Sequence, residues 1–160
     1  MNKTKELIKS WLFIALLIIY STTCLVSCTS SNESTEQDQI SALVEKIWAL
    51  SENRPDGFTL DLRTMTEPTE GISVAYAETM NSCSRKQLED VVRHAIHHDN
   101  YVGGWLDTRD SLYYFDSVRL FPESSLKEAI QFGKENEQHS AFILSSNTLV
   151  PMDGTIDKIK

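Results

Sequence analysis

The residues best equipped for chemistry lie between positions 83 and 119. His94-Ala95-Ile96-His97-His98-Asp99 sets His94 and His98 four residues apart. On a helix that spacing brings two imidazoles to one face, where they can grip a metal ion. Two ligands do not make a site. No glutamate stands between them as in a His-Glu-x-x-His pair, and the only other histidine, His139, is alone. The plainer reading is a polar helix face ending in histidines, which suit the negative end of the helix dipole. On that reading the chain takes no metal and no other cofactor.

Cys83 precedes a helix, and a helix N-terminus lowers a thiol's pKa toward nucleophilic use. It also stands just before the cap, with Leu88 beyond it. That is a hydrophobic-staple arrangement, in which a small apolar cysteine is a packing residue. The densest unusual stretch is Gly103-Gly104-Trp105-Leu106-Asp107 with Tyr113-Tyr114-Phe115-Asp116-Ser117-Val118-Arg119. Strand alternation puts Tyr114, Asp116 and Val118 on one face and Tyr113, Phe115, Ser117 and Arg119 on the other. Trp105, Tyr114, Asp116 and Arg119 are the candidate ligand-binding residues, since an acid and a base among aromatics can read a ligand. Solvent-side charges on an amphipathic strand give the same pattern. There is no phosphate-cradling glycine loop, nucleophile elbow or zinc-ligand set, so no residue is assigned as catalytic.

The N-terminus has a chemistry of its own. Lys3, Lys5 and Lys9 precede the nine-residue apolar run 11–19. A membrane span needs about 20 apolar residues, so the run is short for one and fits the core of a signal peptide. Leu25-Val26-Ser27-Cys28 follows: an apolar residue, a tolerant position, a small residue and a cysteine. This resembles the lipobox of bacterial lipoproteins. The resemblance implies cleavage between Ser27 and Cys28, lipid attachment at Cys28, and a protein held in the cell envelope, expected at the outer membrane. The membrane, through that lipid, is then its first partner.

Charge and cysteine content narrow the rest. Fifteen Lys and Arg against 23 Asp and Glu give a net charge of −8, which excludes the basic stripe that nucleic-acid binding requires. Removing residues 1–27 takes away three lysines and Glu6, leaving 12 basic and 22 acidic residues and a net charge of −10. Of the three cysteines, Cys24 leaves with the signal and Cys28 carries lipid, so Cys83 is the one remaining thiol. No disulfide forms within the domain, and stability must come from a packed core.

The elements that would position these residues follow from periodicity. Residues 1–27 read as signal and 28–38 as a flexible acidic tether; 39–145 read as a single domain and 146–160 as a loose tail. Ile40, Leu43, Val44, Ile47 and Leu50 predict an amphipathic helix over 36–52. Phe58, Leu60 and Leu62 alternate as a strand, and a second runs from Ile72 to about Glu78, the two forming a hairpin. Ser84 and Gln87 form a capping box for a helix carrying Leu88, Val91, Val92, Ala95 and Ile96. A second hairpin joins 101–107 to 111–121, with Gly103 and Gly104 opposite Tyr114 and Tyr113 so that aromatics cover the glycines. Ser125 and Glu128 form a second capping box, and 141–144 is a last strand. The order is α-ββ-α-ββ-α-β, an α+β fold with two layers, the helices lying on one face of a mostly antiparallel sheet. The two hairpin-helix units, 57–98 and 101–136, suggest a duplication.

Residues 101–144 resemble a small hairpin-helix-strand pattern found among bacterial proteins without an assigned activity, a likeness that implies none. The composite reading is an envelope lipoprotein with a small non-catalytic binding domain for a protein, peptide or glycan. Two alternatives stay open. One is a small metal-dependent envelope hydrolase built on His94, His97 and His98 with Asp99. The other is an immunity or inhibitor lipoprotein whose acidity blocks a basic partner.

Overall fold

Ser84 starts its helix as its sequence requires. Its hydroxyl accepts from the Gln87 backbone N–H while Gln87 Oε1 accepts from the Ser84 N–H, closing the capping box. The computed structural model describes residues 29–153, and among them that helix is one of three α-helices. The expected signal segment, Cys28 and residues 154–160 lie outside the described residues. The helices are α1 (Thr29–Ser51), α2 (Arg85–His97) and α3 (Leu126–Glu135). The strands are β1 (Phe58–Asp61), β2 (Ile72–Ala75), β3 (Tyr101–Asp107), β4 (Leu112–Phe121), β5 (Ser140–Ile143) and β6 (Thr148–Pro151). The chain divides into two units after Gln39, and the part from Ile40 onward holds the whole sheet.

All six strands pair antiparallel in the order β1-β3-β4-β2-β5-β6. Mixed helices and an antiparallel sheet make this an α+β fold with the expected element order. Two clusters form the core. Ile40, Val44 and Ile47 of α1 and Leu88, Val91, Val92 and Ala95 of α2 pack on Phe58, Leu60, Val102 and Phe115. Ala129 of α3 packs with Ile72, Val74, Ala141 and Met152. Every strand residue in both clusters belongs to the same face of the sheet, so the described helices lie on that side alone.

Several expectations are corrected. β1 and β2 do not form a hairpin: β1 pairs with β3, β2 pairs with β4, and two strands stand between them. The ten-residue β4 offers ladder on both sides, and the connection 62–71 is long enough to span three strand spacings of about 4.8 Å. The duplication lapses with that hairpin. The β3–β4 hairpin exists, but Asp107 pairs with Leu112, Gly103 with Asp116 and Gly104 with Phe115. The loop is longer because two aspartates cap it locally: Asp107 Oδ1 accepts from the Arg109 N–H and Asp110 Oδ1 from the Leu112 N–H, each at 2.9 Å. Gly104 is nonetheless covered by rings, Phe58 and Tyr113 filling the place a side chain would need.

The expected second box fails too, since Ser125 makes no side-chain cap bond and a short 3-10 turn (Glu123–Ser125) runs into α3 instead. Helix α1 begins at Thr29, so 29–38 is helical where a flexible tether was expected. That stretch is polar but free of Gly and Pro, and extending an established helix adds one hydrogen bond per residue fixed. The expected tail is also partly ordered. Asn147 adopts a positive φ of 53°, and Thr148–Pro151 folds back along β5 as an edge strand.

Candidate functional site

Among the described residues one face of the sheet carries no helix, and β3 and β4 present polar and aromatic residues there. The Trp105 and Tyr114 rings are cross-strand neighbours, stacked with centroids 5.2 Å apart at 24°. Tyr114 is held by its hydroxyl, which donates to Asp110 Oδ2 at 2.8 Å. Trp105 is 44% exposed, and Leu112 beside it is 43% exposed. The Trp105 side chain favours the charged form of the Asp116 carboxyl. Burial pushes the Asp116 carboxyl up to about 6, against the opposing effect of Trp105.

Trp105, Tyr114 and Asp116 are therefore brought together as the alternation predicts. Arg119 is not. It lies on the opposite face, its guanidinium over the Phe121 and Phe132 rings at 5.0 and 5.5 Å. The expected acid-base pair for reading a ligand is split by the sheet, because 116 and 119 have opposite parity on one strand.

The histidines occupy the helix-covered side. His94 is not part of a solvated polar stripe: its side chain is 16% exposed and its Nδ1 meets Ser117 Oγ at 2.9 Å. Its ring stacks on His98 at 3.8 Å and 9°, and Tyr76 packs edge-on against it at 4.9 Å. Because a carbonyl can only accept, the 2.7 Å contact from His98 Nδ1 to the His94 oxygen assigns the proton to His98 Nδ1. Tyr76 donates its hydroxyl to Asp99, and Phe132 of α3 closes the other side of the Tyr76 ring. Burial, then the neighbouring His98, holds the His94 imidazole below its ordinary range, with Glu78 opposing.

This geometry bears on both chemical alternatives. A metal ion lies in the plane of each imidazole that ligates it, and two parallel rings share no such point. Among the described residues no group of three or more His, Cys, Asp or Glu could hold a metal ion. Ser117, His94 and Glu78 have the residue types of a hydrolytic relay, with His94 Nε2 4.0 Å from Glu78. Ser117, however, is fully buried in mid-strand, its N–H bonded to Thr79 Oγ1 and its carbonyl to the Tyr76 N–H. A substrate carbonyl has no approach to its hydroxyl. His97 is exposed, and Cys83 is partly buried with its Sγ 4.0 Å from Gln87 Oε1. Tyr76, Glu78 and Phe132 escaped the sequence reading, since only the packing of a turn and a third helix brings them to His94.

Among the described residues, fold and site together define a small α+β domain with helices on one face of its sheet. Comparison with protein-family models, with curated proteins and with solved structures finds no match to the chain. Among the described residues no helix is long and apolar enough to cross a membrane.

Proposed function

We propose that the chain is a lipid-anchored bacterial envelope protein, placed at the outer membrane through Cys28, whose sheet domain is a non-catalytic binding module. The observation that carries the binding role is the Trp105–Tyr114 stack on the helix-free face, where a tryptophan is left 44% exposed. Exposed aromatic anchors of this kind mark contact surfaces for partners. The lipobox-like Leu25-Val26-Ser27-Cys28 supports the address. A net charge of −10 after removal of residues 1–27 favours a domain repelled by anionic lipid and turned toward other envelope components.

The test places a photo-crosslinking residue at Leu112, beside the stack, or at Lys86, exposed on α2, in the full chain in its own cells. A discrete crosslinked species from position 112, absent from position 86 and lost on Trp105→Ala, is expected. Equal capture at both positions, or none at 112, overturns the binding face. The address is tested separately. Cys28→Ser should accumulate as an unlipidated precursor retaining residues 1–27, and normal processing of that variant would refute it.

A further inference from the structure

The end of α2 meets the rest of the domain through two stacked imidazoles. The His94 and His98 rings lie face to face, centroids 3.8 Å apart at 9°. Each is held through its Nδ1. The His98 N–H donates to the His94 carbonyl at 2.7 Å, and His94 meets the fully buried Ser117 hydroxyl of β4 at 2.9 Å. Tyr76, following β2, packs its ring on both imidazoles, with centroids at 4.9 and 5.1 Å. Phe132 of α3 meets that tyrosine ring edge-on at 5.1 Å and 90°. The pair thus stands where α2, the sheet and α3 come together.

The two rings accept protons on different terms. His98 is exposed and already carries a proton on Nδ1, so a further one enters at Nε2 and leaves its bond to the His94 carbonyl intact. His94 is largely covered. As an imidazolium it donates from both nitrogens, so the buried Ser117 hydroxyl must accept and turn its own proton elsewhere. The charged neighbours differ in sign. His97 and His98 on α2 disfavour a cation at His94, while Glu78 of the turn Ala77–Thr79 favours one, its Oε2 4.0 Å from His94 Nε2. Glu78 is exposed, and water screens it. Asp99 is engaged by the Tyr76 hydroxyl, and Arg119 of β4 lies over the Phe132 ring that α3 turns toward Tyr76. Burial and His98 together hold the His94 imidazole below its ordinary range.

We infer that this pair is an acid-sensitive latch: one proton is accommodated on His98, and a second, on His94, separates the stacked rings and frees the end of α2 from β4 and Tyr76. Two like charges stacked at 3.8 Å repel strongly where water is partly excluded. One imidazolium over one neutral ring carries no such penalty. The groups available to offset the second charge are an exposed glutamate and a carboxylate already bonded to Tyr76. Separation breaks the contacts at the last turn, while Leu88, Val91 and Val92 keep the rest of α2 on the sheet. Histidine is the side chain that makes such a change near physiological pH. The latch acts whatever the opposite face of the sheet binds.

The test follows the full chain by NMR from about pH 7.5 down to about 4.5, the range in which histidine charges. It reads the Cε1–H of His94 and His98, and the hydrogen-exchange protection of the His98 and Asn100 amides, both bonded to the Ala95 carbonyl. His98 should titrate first and His94 second, below pH 6.5. Protection of the two amides should fall only with the second step, by up to about tenfold per pH unit, the slope of one linked proton. The Val91 amide, in the middle of α2, should keep its protection. His98→Gln removes the stacked charge and should raise the His94 titration, whereas Glu78→Gln should lower it. Both side chains are exposed, so these variants test the coupling even if substitution at His94 prevents folding. His94→Gln, which cannot charge, should make the protection independent of that step. A His94 titration unmoved by His98→Gln overturns the latch, as does protection that stays constant through the second step. Loss of protection that persists in His94→Gln assigns the response to a carboxylate and overturns it too. Simultaneous loss at Val91 is unfolding of the helix, and equally overturns it.

Discussion

Asp116 and Ser117 are consecutive residues of β4, and alternation sends them to opposite faces with opposite outcomes. Ser117 is fully buried under α2, where its hydroxyl meets His94 and its backbone is bonded to Thr79 and Tyr76. Asp116 lies in the row beside the Trp105–Tyr114 stack, and among the described residues no cation lowers its carboxyl. Buried polar groups in native proteins are satisfied unless something else requires them otherwise. The covered face obeys that rule locally, polar atom by polar atom. On the other face burial raises one carboxyl, so two consecutive residues of one strand meet different fates. A histidine pair with a nearby serine looks more chemical than a lone aspartate beside a tryptophan. Burial and partner count reverse that ranking.

The largest expected effect tests whether the two faces differ in energy. Phe115→Ala, fully buried against Trp48 and Tyr113, should lose about 3–5 kcal/mol of stability by chemical denaturation. A loss under about 1 kcal/mol would mean that the helices do not pack as described.

Next comes a variant expected to gain stability. The carboxyl of Asp116 is raised in the folded domain from its ordinary 3.8 to about 6, so folding binds a proton there. That contribution is fully present below about pH 4 and is lost as pH rises through about 6. Asp116→Asn, which keeps an acceptor for Trp105, should therefore stabilise the domain at pH 7.5, by no more than about 3 kcal/mol, and leave it unchanged near pH 4. Equal stability of wild type and variant across that window would show that Asp116 is not desolvated. His94 has the opposite sign. Its imidazole is held below 6.5, so its contribution is complete above pH 6.5 and is lost as pH falls through the lowered value.

The histidines themselves provide a smaller contrast. His94→Leu strands the buried Ser117 hydroxyl and should cost about 1–3 kcal/mol, part of which returns in the double variant His94→Leu/Ser117→Ala. His98→Leu, on an exposed residue, should cost about 0.5 kcal/mol or less. Equal costs for the two single variants would return His94 to the solvated helix face that the sequence suggests.

That suggestion shows where sequence reading reached its limit. Helix faces, the Ser84–Gln87 box and the two faces of β4 were legible because they depend on neighbours within about seven residues. The pairing of β1 with β3 was not, since Phe58 and Leu60 alternate equally well for any partner. β6 was hidden because Leu149 and Val150 are too few to show a period. Trp105, Tyr114 and Asp116 were picked out together because a two-residue register error does not change parity, and parity decides the face. Arg119 was grouped with them by nearness in sequence, which parity overrules.

The smallest effect sharpens the comparison most. Trp105→Phe keeps an aromatic ring against Tyr114 but removes the indole N–H, the one group opposing the rise of the Asp116 carboxyl. The stability change should be modest, about 0.5–1.5 kcal/mol at neutral pH, because a single hydrogen bond is lost at a partly open surface. The informative quantity is the titration of Asp116, which should move above about 6 in the variant. A downward move would mean that the bulk of the indole desolvates the carboxyl more than its N–H supports it. Trp105 would then act on Asp116 chiefly by excluding water. An upward move would show that the indole N–H favours the ionised carboxyl more than the bulk of the ring opposes it.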